Sequence, residues 1–271
     1  FFLLQLMHPV GVFEYFNHVL TTSGSGDGYN IDIDGGTPTD IIDADRVYYS
    51  VSDYTLNCYT PAGKTIFENS HSYKKPVLCA SETRFLLYGQ GETGITVGTV
   101  GEILHIGSFE HGILCADIAD SGHYAIASKA DGYEASVSVF DKKNRKVFEW
   151  FSSEELVNSV SLSSNGKTLA VSTIKVHNGT PISNVYVLNY KSSAPMFSKS
   201  YSDELVYDLR SVSNSVFCAV FSDNIDFINY KKQTITSHKS EYSVSMIKQF
   251  GNRMISIRTT AANRDESIVE I

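Results

Sequence analysis

Five side chains recur in a pattern that could do chemistry: Arg46, Arg84, His123, Lys167 and Arg253. Each follows a short polar turn between two apolar segments, and Val216 takes the same place in a sixth copy. Equivalent turns would bring these cations to one face, where an anionic ligand could be held. The competing reading is that polar residues simply suit the mouth of an exposed turn.

Other local patterns are weaker. "NIDIDGG" (30–36) opens like a calcium loop, with Asn30, Asp32 and Asp34 as oxygen donors and Gly35 at the bend. Its twelfth position is Ile41, where a bidentate Glu is required, so a strand with an acidic edge is the better reading. "SNGK" (164–167) has the spacing of an acyl-enzyme Ser-x-x-Lys, yet Asn-Gly marks a hairpin turn, where that pair lacks its helix. The eight histidines form no His-x-His or His-Glu-x-x-His, so no metal site is expected. "GQGETGITVGTVGEI" (89–103) holds five glycines without a phosphate-loop spacing, and bulges or close strand approach explain them better. No cofactor is expected. The residues assign no catalytic group and favour a non-enzymatic role.

Composition narrows the partners. Lys plus Arg is 22 against 30 Asp plus Glu, a net charge of −8, which argues against nucleic acid. Cys58, Cys79, Cys115 and Cys218 each sit in an apolar strand-like run without a CxxC pair, and read as buried thiols without a disulfide.

The elements that would position the five residues are short strands. Six segments repeat at intervals of roughly 40 residues: "IIDADRVYYSV", "VLCASETRFLLYG", "ADIADSGHYAIAS", "VSLSSNGKTLAVS", "LRSVSNSVFCAVF" and "MIKQFGNRMISI". Two further strand candidates separate successive copies, as "SVSVFD" and "KVFEWF" do. Four antiparallel strands per repeat make a β-propeller blade, so the fold class is all-β. Six blades are visible, and a longer parent would hold seven. The last copy has only three strands, and "YNIDID" (29–34) would supply the fourth and close the ring.

The first 28 residues differ. Phe1–Met7 is apolar apart from Gln5. Val12, Phe13, Phe16, Val19 and Leu20 then recur at helical spacing, a short amphipathic helix that would be a stalk or a plug against the propeller. The domains are therefore 1–22, the end of a membrane anchor with its helix; 23–28, a Gly-Ser linker; and 29–271, the propeller. A spanning helix needs about 20 apolar residues, so most of the anchor would precede Phe1.

Trp150 is the single tryptophan, against the per-blade tryptophans of WD40 and quinone-cofactor propellers. On "GSGDGYNIDIDG" (24–35) and "YTLNCYTPAGKTIFENSHSYKKPVLCASETRFLLYGQGETG" (54–94) the chain resembles an uncharacterised bacterial domain-of-unknown-function family, mostly of Gram-positive anaerobes. The resemblance implies a single-pass membrane protein with its propeller on the extracytoplasmic side, distantly similar to WD40-like and quinoprotein-like propellers. It carries over no catalytic residues. The expected function is an interaction or ligand-binding propeller tethered to the membrane, with a protein or cell-envelope partner. A channel-centred enzyme (lyase, glycosidase or lactonase-like hydrolase) and a cytosolic interaction scaffold are the alternatives.

Overall fold

In the computed structural model, residues 10–26, 28, 37–240, 243–250, 253–259 and 267–270 are described. Phe1–Met7, the strand expected at 29–34 and the acidic ligands Asn30, Asp32 and Asp34 lie outside them, as does the side chain of Arg253. The chain divides into two compact units, residues 1–131 with 136–149 and residues 132–135 with 150–271.

Helix α1 (Val12–Thr22) precedes the strands. The first sheet is β1 (Asp40–Asp43), β2 (Tyr48–Val51), β3 (Thr55–Tyr59) and β4 (Thr65–Ser70). The second is β5 (Pro76–Ala80), β6 (Arg84–Gly89), β7 (Gly94–Thr99) and β8 (Ile103–Ser108). The third is β9 (Ile113–Ile118), β10 (Tyr124–Ala130), β11 (Tyr133–Phe140) and β12 (Lys146–Ser152). The fourth is β13 (Leu156–Leu162), β14 (Thr168–His177), β15 (Thr180–Asn189) and β16 (Phe197–Ser202). The fifth is β17 (Asp208–Ser213), β18 (Val216–Val220), β19 (Asn224–Asn229) and β20 (Thr234–Lys239). A three-stranded sheet follows, β21 (Ser243–Phe250), β22 (Arg253–Thr259) and β23 (Ser267–Glu270). Strand order is sequential in every sheet. The paired registers that are described are antiparallel, as in β5–β6 and β18–β19. These are propeller blades, and the repeat read from the sequence is the blade.

Burial follows from side-chain alternation. On β6, Phe85 and Leu87 enter one core with Tyr49, Leu56 and Leu78, while Leu86 and Tyr88 enter another with Ile113, Tyr124 and Ile126. On β18, Phe217 and Ala219 pack with Val185, Val187 and Leu209, whereas Cys218 and Val220 pack with Ile225 and Ile247. A period-two strand thus serves the blade on either side, which is why the second strands read as continuous apolar runs. The fourth strands are edges, and β8 and β20 are mostly exposed or half-buried. Gly98 sits at a register shift between β7 and β8, and a Cβ there would lie 2.5 Å from the Phe85 ring. Close approach therefore accounts for one glycine of the 89–103 run.

α1 begins at Gly11, whose carbonyl accepts the Tyr15 N–H at 3.1 Å. It ends where the Thr22 and Ser23 hydroxyls donate to the carbonyls of His18 and Val19. Among the described residues no helix is long and apolar enough to cross a membrane.

Candidate functional site

The turns that carry Arg46, Arg84, His123 and Lys167 are not equivalent. The Ala44 N–H closes on the Val47 carbonyl, that of Ser81 on Arg84, that of Ala119 on His123, and that of Ser163 on Thr168. Arg84 and His123 therefore close their turns, whereas Arg46 and Lys167 lie inside theirs. Arg46 is half-exposed, with its Nε 3.9 Å from Asp45. Lys167 is exposed, and its backbone N–H donates to Asn165 Oδ1 at 3.1 Å. In the "SNGK" turn Gly166 alone takes a positive φ, 66°. Ser164 and Lys167 are turn residues there, without the helix that the acyl-enzyme reading needs.

Arg84 and His123 share one environment within the first unit. The Arg84 side chain is 5% exposed. Its Nε and Nη2 donate to the two carboxylate oxygens of Glu14 at 2.6 and 3.0 Å, and its Nη1 donates to the Lys142 carbonyl at 2.9 Å. Lys142 Nζ in turn donates to the Val10 carbonyl at 2.6 Å. The carboxylate bound by Arg84 thus belongs to the chain's own helix α1. Gly122, at φ 76°, lets the guanidinium pass, since a Cβ would stand 3.0 Å from Arg84 Cζ. His123 Nδ1 lies 3.0 Å from Ser121 Oγ. Burial lowers its pKa, with Arg84 and Lys142 pushing the same way against Asp141.

The docking of α1 inverts the expected polarity. Glu14 and the buried His18 face the blades, while Phe13, Phe16 and Leu20 are 78%, 47% and 58% exposed. The amphipathic spacing is present, but the apolar stripe points outward.

In the second unit, Glu155 accepts four hydrogen bonds, from Lys175 Nζ (2.7 Å), Asn184 Nδ2 (2.9 Å), Thr173 Oγ1 (2.5 Å) and Tyr186 OH (3.0 Å). Burial alone would raise its pKa, but Lys175 and the two hydroxyls outweigh it and the net shift is downward. Burial first, then the Glu155 acceptor, pushes Tyr186 up to about 12. Trp150 packs against Tyr186, with ring centroids 5.8 Å apart. A shallow groove of about 430 Å³ runs nearby, between β16 and the β19–β20 hairpin. At its buried side Asp226 accepts from Tyr201 OH at 2.9 Å and from Asn224 Nδ2 at 2.8 Å. The sequence carries no signal for this groove, because residues 199–204, 224–226 and 235–239 belong to separate strands.

Glu110, His111 and Asp131 place one ligand atom each within 4.8 Å of one another, and His111 Nε2 is 3.5 Å from Asp131 Oδ1. Both carboxylates are exposed. The four cysteines are free thiols, and burial pushes those of Cys58 and Cys218 up to about 12, far from nucleophilic.

The fold is similar to solved propellers. The Cps50 (Swd1) β-propeller domain of Myceliophteria thermophila superposes with a TM-score of 0.64 at 13% identity, over 83% of this chain and 81% of that one. The Pan2 WD40 domain of Neurospora crassa does so with 0.58 at 12% identity, over 83% and 72%. Hsv2p of Kluyveromyces lactis reaches 0.55 at 11% identity, over 76% and 73%. At such identities the likeness carries the fold alone. No curated protein sequence matches. The profile of a family of unknown function, DUF5711, matches residues 29–267, so the chain is a β-propeller that belongs to that family.

Proposed function

We propose that this chain is a non-enzymatic interaction propeller of Gram-positive origin, held on the extracytoplasmic side of a membrane by its N-terminal segment. Its partner is a protein or envelope polymer. The observation that carries the reading is the orientation of α1. A helix that packed only to complete a core would bury Phe13, Phe16 and Leu20. Here Arg84 holds its polar side through Glu14, Lys142 holds the Val10 carbonyl just before it, and three large apolar side chains at spacings of three and four face outward. Such a stripe suits the boundary of headgroups and acyl chains. The apolar sequence Phe1–Met7 stands just before it. Glu14, the single charged residue of α1, is neutralised by Arg84, which removes the main cost of placing the helix at an interface.

The test uses the parent protein in its own cells. The propeller is expected in the membrane fraction, resistant to carbonate extraction and cleavable by protease added to intact cells. Crosslinking there should join it to a specific protein or envelope polymer. Recovery in the soluble fraction with protection from external protease would overturn the reading. Turnover of a small substrate by the purified chain would overturn its non-enzymatic part.

A further inference from the structure

The groove between β16 and the β19–β20 hairpin holds a buried amide oxygen with nothing donating to it. Asn224 is 5% exposed. Its Nδ2 donates to Asp226 Oδ1 at 2.8 Å, and because a carboxylate only accepts, this fixes which way the amide points. Its Oδ1 is then left without a hydrogen-bond partner. A buried polar group in that condition costs free energy, which a donor from a water or a ligand would relieve. Asp226, 3% exposed, has capacity left as well, since each of its oxygens accepts one bond while a carboxylate oxygen can accept two.

The lining decides the ligand class by charge. Lys199 and Lys239 bring two ammonium groups, and Glu204 and Asp226 bring two carboxylates. An anion would meet the carboxylates and a cation the ammonium groups, so neither is favoured by the balance. Ser202 and Ser237 add hydroxyls, while that of Ser200 is donated to Asn184 Oδ1. Acceptors on the buried side with N–H donors at the exposed one match vicinal hydroxyls, each of which donates once and also accepts. The volume, about 430 Å³, lies within the range of about 300–1,000 Å³ common to small-ligand sites.

We propose that this groove is a binding site for a neutral, hydroxyl-rich ligand, a saccharide. Hydroxyls of the sugar donate to Asn224 Oδ1 and to Asp226, and Lys199 and Lys239 donate to its oxygens. The site lies wholly in the second unit and stands independently of the membrane reading.

The test is made on the purified chain in solution, without membranes. Cellotriose, maltotriose and tri-N-acetylchitotriose are titrated by calorimetry up to about 10 mM, with inorganic phosphate and spermidine as charged controls. At least one neutral trisaccharide is expected to bind. Asn224→Leu and Asp226→Asn should each weaken it by roughly tenfold or more, since each removes a buried polar partner. Because Asn224→Leu could disturb the blade, Ser237→Trp is made as well. Ser237 is exposed on β20, so an indole there obstructs the groove while the thermal transition stays in place. Failure of all three sugars to bind overturns the proposal. So does tighter binding of phosphate or spermidine, and so does sugar binding that a folded Ser237→Trp chain leaves unchanged.

Discussion

Arg84 shows how a turn residue can become an internal clamp. It donates three hydrogen bonds from a side chain 5% exposed, two of them to a helix seventy residues upstream. Removing one partner of such a pair strands the other charge, at a cost of about 3–5 kcal/mol when both are fully buried. Glu14 is 24% exposed and α1 can undock to hydrate it, so Arg84→Met should cost less, roughly 2 kcal/mol, by the same reasoning. Urea unfolding measures that loss, and protease cleavage within Val12–Thr22 should quicken. The double variant Glu14→Leu with Arg84→Met should recover much of the stability. The sequence marked Arg84 as a cation in a turn. It carried no sign that the anion would be Glu14, because the pairing depends on where α1 lies.

At the scale of elements, the strands were legible because their alternation is the blade's own geometry. Phe85 and Leu87 against Leu86 and Tyr88 is a period that only a strand with a core on each face requires. The turns were less legible. Closing pairs such as Ser81 with Arg84 and Ser163 with Thr168 differ in loop length, and a one-residue change moves a side chain from the closing pair into the loop. Lys167 leaves the closing pair for that reason, whereas Ala44–Val47 is as short as Ser81–Arg84 and Arg46 stands one place before its closing residue. Core packing gives the sharpest prediction here. Phe217 is fully buried, with its ring 6.2 Å from that of Tyr230. Phe217→Ala should cost about 3–5 kcal/mol through lost burial and the cavity left behind. Exposed Ile106 on the edge strand β8, changed to Thr, should cost little by the same urea measurement.

For the whole molecule, histidines that fold in their neutral form contribute to the loss of stability in mild acid. Burial lowers the pKa of His71, against its Ser52 and Thr55 carbonyl contacts and against Asp53 and Glu92. Burial lowers His123 too, with Arg84 and Lys142 adding to the shift. The unfolded chain therefore takes up protons first as pH falls. Stability present above the ordinary histidine value of about 6.5 is lost on acidification below it. His123→Gln should flatten the slope of unfolding free energy between about pH 7 and 5, as followed by urea titrations at each pH. An unchanged slope would show that His123 is solvated. The fold as a whole could be read from one chain because repetition multiplies a weak signal five- or sixfold. The groove at Asn224 and Asp226 could not, because it exists only where β16 of one blade meets β19 and β20 of the next.

The clamp on α1 also has a mechanical meaning. If the segment before Val10 bears load, tension reaches the first unit through the Lys142 contact at Val10 and the Glu14–Arg84 pair before any blade is pulled. Those few polar contacts would yield ahead of the hydrogen-bonded strands. α1 would peel away and lengthen the tether while the blades kept their shape. Under such a load the helix is a fuse in series with the propeller, sparing the β-sheets.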